Sequence, residues 1–313
     1  MRNSAPFLAD LADGPEDGYA RWVTSEDDVR LRVGFWPNRE ARGTILLFPG
    51  RTEYVEKYGR AASEFAARGY ALATIDWRGQ GLSERLIDDP MTGHVFDFKD
   101  YQFDVNALKT AVAEAGLPEA HYLVAHSMGG AIGLRSLTDG LGVRAAAFTA
   151  PMWGIRMGAA ARPVAWAISW AWPKMGKGEN YAPGTSAISY AGTAPFEGNT
   201  LTKDPEMWAY MQAQTTALPG LALGGPSLQW LYQALTETRT LRAMKARPDL
   251  PSVVHIGTDE KIVDTEAVDD VMSGWKGGAL TRIHGAEHEI MMEVKPVRDA
   301  FFDAAAALFD RAA

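Results

Sequence analysis

Cysteine is absent from the 313-residue chain, which excludes disulfide frameworks, thiolate zinc sites and cysteine nucleophiles. Long apolar runs are missing too. The most apolar stretch, Pro163 to Trp172 (PVAWAISWAW), is ten residues, half of what a bilayer-spanning helix needs. The opening MRNSAPFLADLADG holds one Arg and no apolar run of signal-peptide length, so a soluble, cytoplasmic protein without a secretion leader is expected. Positive charge is in deficit: 31 Lys and Arg against 39 Asp and Glu leave a net charge of −8. That balance argues against nucleic acid as a partner and provides no long-range attraction to an anionic membrane. Repeats and low-complexity tracts are also lacking. What remains, 47% hydrophobic and 22% charged residues, is the composition of a chain that folds rather than of a disordered one.

Along residues 43–151 short apolar runs alternate with helical periodicity. Thr44–Phe48 (TILLF), Tyr70–Trp77 (YALATIDW), His121–Ala125 and Val143–Thr149 read as strands. Between them, Glu53–Arg68, Asp100–Ala115 and Met128–Leu137 read as helices, the first two closed by Gly69 and Gly116. Such alternation predicts βαβ crossovers, hence an α/β fold with a mostly parallel sheet covered by helices on both faces. Val29–Trp36 adds antiparallel structure at one edge. The pattern breaks at Pro151 and resumes with Ser252–Gly257, a helix near Thr265–Met272, a strand at Ala279–Ile283 and a closing helix over 296–313. Between the two stretches lie six of the ten tryptophans. The expected organisation is therefore a core in two parts, 1–150 and 241–313, interrupted by a helical cap over 151–240.

His121–Leu134 reads HYLVAHSMGGAIGL: an apolar strand, a small–X–Ser–X–small turn, then a helix. This is the nucleophile elbow pattern, with Ala125 in place of the first glycine. Small flanking residues are needed because the tight turn brings neighbouring backbone close. A bland alternative is that Ser127 merely caps the helix; the strand–turn–helix context favours the nucleophile. A serine needs a base held by a third group, and in this fold class the chain order is Ser, then Asp or Glu, then His. Asp259 follows the strand SVVHIG, 132 residues after Ser127, and His288 lies 29 residues further on, ahead of the last helix. His284 is the rival base and Asp264 the rival acid, the latter better explained as a helix N-cap. Of the remaining histidines, His126 should point away from the nucleophile, His121 and His255 belong to strands, and His94 sits in a loop. The acidic runs Glu26-Asp27-Asp28 and Asp88-Asp89 read as solvated turns rather than a metal site. Arg78 and Arg85 flank a Gly-rich turn without the context of a phosphate loop.

The segments PGRTEYVEKYGR (49–60), DWRGQGLSER (76–85), GHVFDF (93–98), AHSMGGAIGLR (125–135), APM (150–152), YAPG (181–184) and GAEHEIMME (285–293) resemble the lysophospholipase L2 group of α/β-hydrolases. That group is close to monoacylglycerol lipases and often carries a serine aminopeptidase domain label. The resemblance implies a helical cap over the active site and Ser127, Asp259 and His288 as triad. It also implies an oxyanion hole from the backbone N–H groups of Arg51 and Met128. Two positions depart from the group: its usual His-Gly is Pro49-Gly50 here, and its R-G-H-G is Arg78-Gly79-Gln80-Gly81.

The expected chemistry is acyl transfer to water, with no metal or organic cofactor. The Trp- and Met-rich insertion points to an amphiphilic monoacyl ester, a lysophospholipid or monoglyceride, and to transient membrane-surface contact through the cap. Alternatives are a generic carboxylesterase, a non-catalytic hydrolase-like binding protein, and an aminopeptidase. The last would need an acidic cluster in the cap from Glu179, Glu197, Asp204 and Glu206. The sequence leaves the acyl chain, the head group and the oligomeric state open.

Overall fold

A computed structural model describes residues 3–119 and 121–313. Eight strands form one sheet: β1 (Tyr19–Thr24), β2 (Arg30–Trp36), β3 (Thr44–Phe48), β4 (Ala71–Asp76), β5 (His121–His126), β6 (Ala146–Thr149), β7 (Ser252–Gly257) and β8 (Gly278–Ile283). Their spatial order is β1-β2-β4-β3-β5-β6-β7-β8. β1 and β2 pair antiparallel with each other, β2 pairs antiparallel with β4, and the pairings from β4 through β8 are parallel. The helices are α1 (Ala9–Ala12), α2 (Gly59–Ala67), α3 (Tyr101–Glu114), α4 (Met128–Thr138), α5 (Ala161–Lys174), α6 (Tyr190–Thr193), α7 (Pro205–Ala217), α8 (Leu228–Ala243), α9 (Thr265–Ser273) and α10 (Lys295–Arg311).

Successive residues of a strand face opposite sides, and the apolar runs of the central strands supply both sides. Leu46, Phe48, Leu123 and Ala125 join the core that takes in Val105, Leu108, Ile132 and Val268 from α3, α4 and α9. Ile45, Leu47, Tyr122 and Val124 join the opposite core, with Phe65 of α2 and Phe301, Phe302 and Phe309 of α10. Continuous burial on both faces is why these strands read as unbroken hydrophobic runs.

Two elements differ from expectation. The helix predicted from Glu53 begins as a 3₁₀ turn at Val55 and becomes α-helical only at Gly59, because the Glu53 carboxylate is committed to Gly50, Lys57 and Tyr58. β6 starts at Ala146 rather than Val143, where pairing with both Leu123 and Ser252 begins.

α5 to α8 intervene between β6 and β7. α7 is fastened to the core by the Tyr210 hydroxyl, which donates to the carbonyls of Ala12 (2.7 Å) and Glu56 (2.9 Å). Trp153, Trp208 and Trp230 are buried, whereas Trp170 and Trp172 of α5 are exposed. Among the described residues, no helix is long and apolar enough to cross a membrane.

Candidate functional site

All the parallel strands end at one edge of the sheet, where ligand chemistry collects in open α/β folds. At the end of β5 the chain enters α4 through Ser127, whose φ of 50° and ψ of −119° lie outside the regions ordinary residues favour. Thr52 after β3 and Ala150 after β6 also have positive φ. Strained backbone of this kind costs about 1–3 kcal/mol per residue and persists where the surroundings over-determine it. Here they do. The Ser127 N–H donates to the Thr149 carbonyl (3.1 Å), and the Ser127 carbonyl accepts from Gly130 and Met152 (both 2.8 Å). A Cβ on Gly129 would run into the carbonyl oxygens of Phe48 and Pro49, and one on Gly130 would meet Pro151. The tightness inferred for the elbow from its small residues is thus literal.

Ser127 and His288 line one cavity of about 660 Å³, together with Arg51, Thr52, Met152, Trp230 and Leu231. His288 is buried, and its Nδ1 lies 2.7 Å from Glu260 Oε2. A carboxylate oxygen only accepts, so Nδ1 carries the proton and Nε2 keeps the lone pair a general base needs. The other Glu260 oxygen accepts from the N–H groups of Ile262 (2.5 Å) and Val263 (3.0 Å). Burial works to raise the Glu260 carboxyl; His288 and those two N–H groups outweigh it and hold it below its usual range.

The acid expected against His288 was Asp259, and here the structure corrects the sequence reading. Asp259 is turned outward, its side chain about two-fifths exposed, and pairs with Lys203 at 2.5 Å. Its neighbour Glu260 takes the inward position. Adjacent side chains leave an extended turn in opposite directions, and nothing local marks which of the two faces in. The rivals fall elsewhere. His284 is exposed, Asp264 caps α9 by accepting from the Glu266 N–H (3.1 Å), and His255 is buried edge-on to Phe301. His94 bonds Ser227 Oγ through Nδ1 (2.9 Å), and His121 opens β5. Asp27 is clamped by Arg78 at 2.7 and 2.9 Å.

Behind the elbow lies a buried ionic cluster that sequence reasoning missed. Lys57 Nζ sits between Glu53 Oε1 (2.5 Å) and Glu289 Oε1 (2.7 Å). His126 Nε2 faces the same two carboxylates at 3.5 and 3.3 Å, while its Nδ1 meets Thr149 Oγ1 (2.9 Å) and carbonyl (3.1 Å). Burial opposes a charge on His126; Glu289 and Glu53 prevail and raise its pKa above the ordinary histidine value. Glu289, despite burial, is held well below the carboxylate range by Lys57 and His126. Glu53, His126 and Glu289 have metal-ligand spacing, but the Lys57 ammonium already fills the cationic position between the carboxylates.

The cluster ties together the parts that matter. Glu53 also accepts from the Gly50 N–H and the Tyr58 hydroxyl, gripping the loop that leads to Arg51. Gln80, at a position where the resembling group has His, donates to the carbonyls of Gly50 (2.9 Å) and Glu53 (3.2 Å) and secures the same loop. Met128 opens α4, so its N–H has no intrahelical acceptor. The acids of the inserted segment do not gather at the cavity. Asp204 pairs with Arg298 and Glu206 with Arg60, and Glu179 and Glu197 are exposed.

A family model described as serine aminopeptidase, S33, matches residues 39–295. Lysophospholipase L2 of Escherichia coli (strain K12) is 30% identical over 296 residues, covering 92% of this chain and 86% of that protein. Among solved structures, a soluble variant of monoglyceride lipase from Saccharomyces cerevisiae superposes with a TM-score of 0.71 at 20% identity, covering 93% of this chain and 94% of that one. A thermostable carboxyl esterase from Bacillus coagulans gives a TM-score of 0.74 at 15% identity, covering 94% and 98%. At such identities the structural likeness speaks to the fold.

Proposed function

Because the chain belongs to the serine aminopeptidase S33 family of α/β-hydrolases, we propose that it is a serine esterase. It cleaves the carboxylic ester of an amphiphilic monoacyl lipid, a lysophospholipid or monoacylglycerol, through an acyl-enzyme on Ser127. The observation that carries this reading is the 2.7 Å contact of His288 Nδ1 with buried Glu260, beside the cavity that also holds Ser127.

In the proposed reaction His288 Nε2 takes the Ser127 hydroxyl proton as Oγ attacks the ester carbonyl, and Glu260 stabilises the imidazolium that forms. The backbone N–H groups of Arg51 and Met128 receive the oxyanion, each donor worth roughly 3–4 kcal/mol. Collapse expels the alcohol with the proton returned by His288, and water then repeats the sequence to release the fatty acid. Apolar side chains along the cavity, Met152, Ile155, Leu231 and Ile262 among them, suit an acyl chain. We assign the helical segment 151–240 as the cap over this site. In this segment Val164, Trp170, Trp172 and Met175 are exposed, and these apolar tips would rest on a lipid surface during substrate uptake. The protein would then be cytoplasmic and peripheral to the membrane.

A fluorophosphonate probe should label Ser127 in wild type and leave Ser127→Ala unlabelled. In a series of monoacyl esters of increasing chain length, kcat/KM should rise toward long chains. Absence of an adduct would retire the hydrolase reading, and preference for acetyl or butyryl esters would leave a carboxylesterase.

A further inference from the structure

Apart from two tyrosines, five ionisable side chains line the cavity beside Ser127: Arg51, Glu53, Lys57, His288 and Glu289. Four of them are matched. Lys57 sits between the two carboxylates, which also face His126, and His288 is held by Glu260. Arg51 is not. Its Nη1 donates to the Gly224 carbonyl at 2.9 Å, and its guanidinium carbon lies 5.5 Å from the Trp230 ring centroid. Among the described residues no carboxylate comes within ion-pair distance of it, and its Nε and Nη2 have no protein acceptor. Neither nitrogen is among the fully buried unpaired polar atoms, and Arg51 lines the cavity. Burial, opposed by Tyr101, lowers the Arg51 pKa to about 10, so the group stays cationic at neutral pH. A cation drawn out of water without a counter-ion is costly, and its planar fork matches the geometry of a phosphate.

We propose that Arg51 is the head-group anchor of the substrate site, where its guanidinium takes the phosphate of a lysophospholipid and so selects that lipid over a monoacylglycerol. The assignment rests on the lipid-ester reading above and narrows it. The main-chain N–H of the same residue is assigned to the oxyanion, so the side chain leaves the residue that would hold the scissile carbonyl. In a lysophospholipid the phosphate stands a glycerol backbone away from that carbonyl; in a monoacylglycerol the place holds a neutral hydroxyl. The wall beside the guanidinium combines the Trp230 ring with closely built backbone. Gly224 and Gly225 follow Leu223, Ser186 holds Gly225 through a 2.8 Å backbone bond, and Thr185 and Ser186 line the same cavity. A Cβ on Gly225 would collide with Thr185, so this wall leaves space only for backbone.

The test separates binding from turnover. In Ser127→Ala protein, calorimetry would compare a short-chain 1-O-alkyl-glycerophosphoethanolamine with the matching 1-O-alkylglycerol, neither of which contains a carboxylic ester. The phosphate-bearing ether should bind about ten- to a hundredfold more tightly, the worth of a charge-assisted pair. Arg51→Gln, which retains a donor for the Gly224 carbonyl, should bring that ratio to about one, and Arg51→Lys should keep part of it. Melting curves establish that each variant is folded, and should Arg51→Gln fail, Arg51→Met carries the same expectation. Equal binding of the two ethers, or a preference that survives loss of the charge, overturns the anchor. Competition by inorganic phosphate without any preference between the ethers would make this a free-anion site and overturn the head-group assignment. Ser127 labelling and ester turnover are scored separately, so failure of the hydrolase reading is distinguishable from failure of the anchor.

Discussion

Glu260 and Asp259 leave the end of β7 in opposite directions, and their partners differ accordingly: a buried imidazole and two backbone N–H groups for one, a half-exposed lysine for the other. Glu260→Gln keeps the size but removes the charge that favours an imidazolium at His288. Turnover of a fluorogenic ester should fall roughly 10³–10⁴-fold, as it does when a triad carboxylate becomes an amide. Asp259→Asn should change turnover by less than about threefold, since exposed ion pairs contribute little. A large loss in Asp259→Asn with an active Glu260→Gln would restore the sequence-derived triad. That Ser127 and His288 would share one cavity was legible, because the elbow pattern is local and the order of nucleophile, acid and base can be read along the chain. The choice between two neighbouring acids was not, because it is made by Lys203 and by the N–H groups of Ile262 and Val263.

At the scale of elements, the elbow concentrates its constraints where β5 passes into α4. Gly129 and Gly130 lie under the carbonyls of Phe48 and Pro49 and against Pro151, so a methyl group at either position must displace backbone of a neighbouring segment. Gly129→Ala and Gly130→Ala should each cost about 1–3 kcal/mol or more, the range for forced overpacking. Gly142→Ala is the control, with nothing within 4 Å of the added carbon and no positive φ. It should be neutral or stabilise by about 0.4–1 kcal/mol through the unfolded chain. Urea midpoints decide this, and equal midpoints for all three would show that the elbow relaxes freely. Strands and helices followed closely from apolar runs and periodicity. The helix over Glu53–Arg68 began late for a reason the sequence does not carry: the Glu53 side chain is drawn away to Gly50, Lys57 and Tyr58.

Over the whole molecule, buried ionisable groups make stability depend on pH from both sides. His94 and His255 are pushed down to about 4 by burial. Between that value and about 6.5 the unfolded chain binds protons the native state refuses. Stability therefore rises with pH there, by about 1.4 kcal/mol per pH unit for each group that is neutral only in the fold. Glu260 and Glu289, held low in the fold, act in the same direction: their contribution is present above about 4.3 and lost as pH falls through their native values. His126 has the opposite sign. Its native pKa is raised, so its contribution is complete below about 6.5 and disappears as pH climbs through the native value. Lys57 and Glu289, which complete its surroundings, are 232 residues apart, and no local pattern could have announced the cluster. The melting temperature should peak near neutrality and decline on both sides. His255→Leu should make the acid limb shallower by one proton. His126→Gln should lower the melting temperature below about pH 6.5 and flatten the alkaline limb, since the group that titrates there is gone. Calorimetric scans across pH give both slopes, and an alkaline limb as steep in His126→Gln as in wild type would mean that the imidazole between Glu53 and Glu289 is neutral in the fold.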